Sequence, residues 1–311
     1  MKKRSVSVYT YIKTVLKEFS ADDILKYSAS LAYYTVFSIA PLLIIVTTLS
    51  GLFFGKEAVQ GEIYVQLRGL VGNMAAEQIQ DIIKNIHLTG NSTFASIAST
   101  GILLVGATTV FGEVQDSLNK IWGLRVKTKK IWWKLILTRL LSFSVILCIG
   151  FIMMVSLVLN AMVSAFGKFL GQYIDNFGVY FIQVTESILS FAITSFLFSL
   201  MFKVLPDARI KWKDVLFGGL VTAMFFTLGK LGIGFYLGST NLTSLYGAAG
   251  SIIIIMIWVY YSSIILYLGA EFTKVHAKLY GGKILPNDFA EWIKIEEKHA
   301  SNPELKNKEL K

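Results

Sequence analysis

Six stretches of this chain, at about residues 30–54, 94–115, 136–166, 179–202, 214–238 and 249–273, are predominantly apolar over about 22 residues or more. A helix needs roughly 20 predominantly apolar residues to cross the hydrocarbon core of a bilayer. Buried strands can be equally apolar, but they run to about 4–8 residues. Runs such as Ile252-Ile253-Ile254-Ile255-Met256-Ile257-Trp258-Val259, set inside longer ones, therefore predict an all-α fold. The expected architecture is a polytopic membrane helix bundle with six transmembrane helices. Composition agrees: 54% of residues are hydrophobic and 16% charged, where soluble domains carry about 25% charged.

The 30 basic residues decide which way such a bundle points, because Lys and Arg are retained on the cytoplasmic side during insertion. Twenty-five of them, counting Arg139 just inside the third run, fall in four regions that alternate with the runs: before the first, between the second and third, between the fourth and fifth, and after the sixth. The intervening loops hold only Lys56, Arg68, Lys84 and Lys168, and Lys230 lies inside the fifth run. This asymmetry is expected to place both termini in the cytoplasm, with six crossings between them. The first apolar run starts near residue 30, too far in and too long for a secretory leader, and no small-residue cleavage pattern follows it.

Three regions follow: 1–28, a cytoplasmic amphipathic segment; 29–275, the six-helix transmembrane domain; and 276–311, a polar cytoplasmic tail. In the first, Val8, Ile12, Val15 and Phe19 repeat at helical spacing, with Lys13 and Lys17 on another face. That pattern fits a helix lying on the inner leaflet or one packed against cytoplasmic loops. In the first outside loop, Ile63, Leu67, Leu70, Val71 and Met74, then Ile79, Ile82, Ile83 and Ile86, predict two short amphipathic helices, as a lid or as a plain cap. The tail mixes Glu291, Lys294, Glu296, Glu297 and Lys298 and reads as a solvated end.

An ionisable side chain inside a membrane helix costs about 2.5–3.5 kcal/mol on insertion scales and marks a site until shown otherwise. Lys230 in the fifth run and Glu186 in the fourth fall at nearly one depth, so a charged substrate-binding site, a structural ion pair or a lysine snorkelling outward is open to them. A second polar group gathers at the inner ends of three runs: Tyr34 with Ser30 near the first, Glu113 and Asp116 near the second, Glu271 near the sixth. They are candidates to line a cytoplasmic vestibule, or to sit among head groups balanced by lysines. The basic loops suit anionic phospholipid, so membrane lipids are the expected partners.

The motifs of nucleotide chemistry, GxxxxGK[ST] and GxGxxG after a strand, do not occur, nor do HExxH or CxxC. Cys148 is alone, and His87, His276 and His299 fall in separate regions, so no metal site and no cofactor are expected. No nucleic-acid partner is expected, since orientation already accounts for the basic loops.

Four stretches resemble the YihY/BrkB family of bacterial inner-membrane proteins. They are Ser30-Leu31-Ala32-Tyr33-Tyr34-Thr35-Val36-Phe37-Ser38-Ile39-Ala40-Pro41-Leu42-Leu43, and Phe111-Gly112-Glu113-Val114-Gln115-Asp116-Ser117-Leu118-Asn119-Lys120-Ile121-Trp122-Gly123. The third joins Leu205-Pro206-Asp207, Lys211-Trp212-Lys213-Asp214 and Leu228-Gly229-Lys230; the fourth runs from Tyr246-Gly247 through Trp258-Val259-Tyr260-Tyr261 to Leu268-Gly269-Ala270-Glu271. The resemblance implies a six-helix inner-membrane protein, with links to serum resistance and, in a related branch, to movement of lipid-like molecules. The family has also carried a ribonuclease label, which implies metal-ligand clusters that this sequence lacks. The leading expectation is a protein that binds or translocates a lipid-like amphiphile without hydrolysing ATP and is not an enzyme. A membrane-tethered ribonuclease and a non-transporting envelope assembly scaffold are the alternatives.

Overall fold

A computed structural model describes residues 7–38, 76, 77, 80, 109–127, 177–239, 249–280 and 283–293. The third predicted crossing, most of the first and second, the outer-loop helices apart from three helical positions (76, 77 and 80), Pro41 and the tail beyond 293 lie outside these residues.

The described chain is mostly helical. Helix α1 is Val8–Ala21, α2 covers 24–38 and α3 covers 109–121. Then come strand β1, Leu124–Val126, helix α4, Phe177–Val204, strand β2, Ala208–Arg209, and helix α5, Trp212–Ser239. Helix α6, Ala249–Tyr280, leads to strands β3, Leu285–Pro286, and β4, Ala290–Trp292.

Among the described residues, three helices are long and apolar enough to cross a membrane, through Val184–Val204, Trp212–Tyr236 and Ile252–Tyr280. They coincide with the last three predicted crossings. Helix α6, at 32 residues, is about 48 Å long at 1.5 Å per residue. That exceeds the roughly 30 Å of hydrocarbon, so it outlasts the predicted end at 273. A link of seven residues, 205–211, makes α4 and α5 neighbours, and α5 also packs on α6; α5 is the middle member of the three.

Small residues set that packing. A side chain at Gly218 would collide with Thr273, and one at Gly269 with Thr222, while Gly219 faces Ser195 and Ser199 of α4 and Gly229 faces Tyr261. The Thr222 hydroxyl donates to Gly218 O at 2.6 Å and the Thr273 hydroxyl to Gly269 O at 2.9 Å. Each threonine thus satisfies its own hydroxyl one turn back and fills the notch left by the glycine on the facing helix, which lets the backbones approach closely. Gly218→Leu is expected to lower stability by about 2–3 kcal/mol, read as a fall in the thermal midpoint of detergent-solubilised protein. Gly232→Leu is the control with no fall expected, because a side chain there meets nothing within 4 Å.

One end of the bundle gathers everything else. Strand β1 pairs antiparallel with β4, placing Leu124 opposite Trp292, Arg125 opposite Glu291 and Val126 opposite Ala290. Strand β2 pairs with β3, placing Ala208 opposite Pro286 and Arg209 opposite Leu285. The all-α expectation is therefore corrected by two short ribbons. Gly123, at φ 71, makes the turn from α3 into β1, a left-handed conformation that glycine adopts without steric cost. Residues 285–292, read above as the start of a solvated tail, fold back here. Their mixed charges pair across the ribbons, Glu291 with Arg125 at 2.9 Å and Asp288 with Arg209 at 3.0 Å.

The main core lies at this ribbon end. Ile24, Leu31, Leu118, Ile121, Trp122, Phe202, Val215, Leu266 and Tyr267 are buried together, and the Trp122 indole donates to Ala270 O at 3.2 Å. A second cluster docks α1 onto α5 and α6: Tyr11, Val15 and Val275 with Phe217 and Phe272 packed on them. The Tyr11 hydroxyl donates to Phe272 O at 2.9 Å. The docked face of α1 thus centres on Tyr11 and Val15, and two residues expected beside Val15, Val8 and Ile12, stand exposed.

Candidate functional site

Where α1 turns into α2, the sequence Asp22-Asp23 interrupts the helix, with Asp23 at φ 50. Aspartate tolerates that region better than most residues. The turn brings Asp22 and, one turn earlier, Glu18 against α6 at Glu271, Lys274 and Lys278. Glu18 follows Tyr11 and Val15 at helical spacing, so it shares their docked face; on α6, Glu271, Lys274 and Lys278 are three and four residues apart and likewise share one face.

Lys274 stands at the centre. Its Nζ lies 2.8 Å from Glu18 Oε2, 2.5 Å from Asp22 Oδ2 and 3.4 Å from Glu271 Oε2. Lys278 Nζ adds a contact of 3.4 Å to Glu18 Oε1. Glu271 is fully buried, and neither of its carboxylate oxygens has a hydrogen-bond partner. The Lys274 hydrogen bond is the main cause that holds the Glu18 carboxyl below its ordinary value, against the opposing effect of burial. Burial pushes the Tyr11 phenol upward, and the charge of Tyr280 adds to that.

The Glu18, Asp22 and Glu271 carboxylates approach one another within 4.8 Å, the one such acidic group among the described residues. The Lys274 ammonium already lies among them and supplies the positive charge that a metal ion would bring. The arrangement is an ionic lock between the N-terminal helix and a membrane-crossing helix.

A second polar cluster is built on Asp207, a buried residue in the link from α4 to β2. Asn119 donates to Asp207 Oδ2 at 2.8 Å and accepts from the Asp207 backbone N–H at 2.8 Å. Gln115 donates to Oδ1 at 3.4 Å, and Asn287 to the same atom at 3.3 Å. The Asn287 backbone N–H donates to Asp207 O at 3.0 Å. One side chain thus ties α3, the α4–α5 link and the C-terminal ribbons together. A third polar contact joins Asp214 of α5 to His276 of α6, Oδ1 to Nδ1 at 3.0 Å, with the imidazole stacked on Phe217 at 4.3 Å.

Of the six residues singled out from the sequence, Glu271 alone enters the lock. Glu113 is half-buried on α3 and Asp116 exposed on the same helix; the charge of Glu113 is felt by Tyr27. Tyr34 is exposed on α2, edge-on to Tyr33 with ring centres 5.7 Å apart. Lys230 is half-buried on α5 and Glu186 exposed on α4. Each is 18 residues from the ribbon-end terminus of its helix, Trp212 or Val204, which is about 27 Å along the axis. They share a depth, and no ion pair joins them among the described contacts. Sequence reasoning missed Glu18, Asp22, Lys274 and Asp207, because their partners lie between 80 and 260 residues away. The signal for Glu18 was its place in the Tyr11–Val15 row.

The family model for virulence factor BrkB matches residues 15–288. A UPF0761 membrane protein of Psychromonas ingrahamii is 28% identical over 272 residues, covering 85% of this chain and 87% of that protein. One of Saccharophagus degradans is 24% identical over 269 residues, 86% of this chain and 60% of that longer protein. Another, of Stenotrophomonas maltophilia, is 29% identical over 258 residues, 81% of this chain and 57% of that protein. No solved structure matches. The ribbon-end lock, the Asp207 knot and the three helices apolar enough to span a membrane lie wholly or almost wholly inside the matched region, and the chain belongs to the virulence factor BrkB family of integral membrane proteins.

Proposed function

We propose that this protein binds a lipid-like amphiphile within the bilayer and moves it between leaflets without hydrolysing nucleotide. The observation that carries the reading is the pair of polar residues at one depth on adjacent helices: Lys230, half-buried on α5, and Glu186, exposed on α4. A carboxylate exposed on a membrane-crossing helix is met by water or by head groups, because hydrocarbon does not solvate it. A zwitterionic or anionic head group brings the charges that suit this pair, while its acyl chains stay in lipid. The six-crossing topology, with the ribbon end in the cytoplasm, belongs to the same proposal; it is supported by the lysines and arginines collected at that end, including Lys120, Arg125, Lys127, Arg209 and Lys278.

The reading is tested by photolabelling in nanodiscs with a phospholipid carrying a photoreactive group near its head. Wild type is expected to label within α4 or α5, and Lys230→Ala and Glu186→Ala severalfold less. Equal labelling in all three, or labelling confined to other helices, contradicts it.

A further inference from the structure

The 14 residues of α1 carry two apolar faces, and the molecule uses one. Tyr11 and Val15 are 8% and 1% exposed against α6, whereas Val8, Tyr9, Ile12 and Leu16 are 74%, 72%, 46% and 59% exposed. These four fall within about a third of the helical circumference at 3.6 residues per turn. Lys13 and Lys17, four apart, continue the same surface on the side away from α6; both are exposed, and neither forms an ion pair among the described residues. The acid of this helix, Glu18, is turned inward to Lys274 and Lys278. The outward surface of α1 is therefore an apolar strip edged by positive charge alone. On the next helix, Leu25, Ala29, Tyr33 and Phe37 form an exposed row at four-residue spacing, the face expected of a helix entering lipid.

We propose that α1 lies in the plane of the leaflet at the ribbon end, with Val8, Tyr9, Ile12 and Leu16 among the upper acyl chains and Lys13 and Lys17 on the phosphates of anionic phospholipid. Two observations select this occupant. The strip belongs to a helix docked on α6 at Val275 and Phe272, the end of a membrane-crossing helix, where head groups are the adjacent medium. The charge beside the strip is of one sign and complementary to anionic lipid, and each lysine near such a surface contributes about 1 kcal/mol. The inference needs the chain to be membrane-integral and does not depend on the transport reading.

The test is site-directed spin labelling of the full chain, with Cys148→Ser as background, in nanodiscs of phosphatidylcholine alone or with phosphatidylglycerol. Labels at Ile12→Cys and Leu16→Cys are expected to meet oxygen severalfold more than a water-soluble nickel complex. A label at Thr10→Cys is expected to show the reverse. Phosphatidylglycerol should raise the contrast, and Lys13→Gln with Lys17→Gln should abolish that rise while the Tyr11 docking contact keeps the helix in place. Nickel access at positions 12 and 16 in both membranes overturns the proposal. So does protection from both reagents that appears only when two copies share a disc, which would assign the strip to a second copy of the chain. An oxygen preference indifferent to phosphatidylglycerol and to the two lysines overturns the assignment to anionic lipid.

Discussion

Replacing Lys274 by Met is expected to destabilise the protein by about 3–5 kcal/mol, the range for removing one partner of a buried ion pair. The side chain is of similar length and would pack, but Glu18, Asp22 and Glu271 would be left facing one another within 4.8 Å without the ammonium between them. Glu271 is the worst placed, because it is fully buried and has no hydrogen bond to fall back on. The double variant Lys274→Met with Glu271→Gln should therefore recover a large part of the loss, since it replaces the buried carboxyl by a neutral amide as well as removing its partner. Thermal unfolding in detergent, with the two single variants and the double as a cycle, reads this coupling. The lock also has a pH signature outside the membrane. The Glu18 carboxyl is held below its ordinary value, chiefly by Lys274, so its contribution to docking α1 is fully present above the ordinary carboxylate range and is lost as pH falls through the lowered value. Acid should release α1 in wild type, and Lys274→Met should show release already at neutral pH.

Asp207→Ala is expected to cost about 2–4 kcal/mol, because a buried donor left without its acceptor costs roughly 1–3 kcal/mol and both Asn119 and Asn287 lose theirs. The loss should be local in the first instance. Asn287 would keep its backbone bond to Asp207 O, but the ribbon pairings are short, two and three residues, and the surface ion pairs Arg125–Glu291 and Arg209–Asp288 are exposed and weak. Limited proteolysis should then cut the 283–293 segment in the variant well before the helices, whereas wild type resists there. Asp207→Asn retains one acceptor oxygen and should fall between the two. Cutting at the same rate in Asp207→Ala and wild type would show that the ribbons hold without the knot.

The crossings were legible because hydrocarbon imposes length and composition on each segment by itself: the runs at 179–202, 214–238 and 249–273 reappear as α4, α5 and α6. The α1 period was legible too, but not which part of its apolar arc would dock, since that choice depends on Phe217 and Phe272 far along the chain. The ribbons escaped notice because strands of two or three residues have no periodicity to read; Leu285–Pro286 acquires its meaning only from Arg209 opposite it. The lock and the knot share this cause. Lys274 and Glu18 are ordinary surface residues in a list, and only the fold turns them inward. Asp207 stood within a recognisable Leu-Pro-Asp stretch, yet nothing nearby announces Asn119. Lys230 and Glu186 were the reverse case, conspicuous because charges are rare where they stand.

The measurement that bears most directly on the functional reading is transbilayer movement of head-group-labelled phospholipid in proteoliposomes, followed with an impermeant quencher. Wild type should expose inner-leaflet label faster than protein-free vesicles, and Lys230→Ala and Glu186→Ala should each lose that acceleration while keeping the thermal midpoint of wild type. Quenching that stops at the outer-leaflet fraction for wild type, as in empty vesicles, would contradict the account.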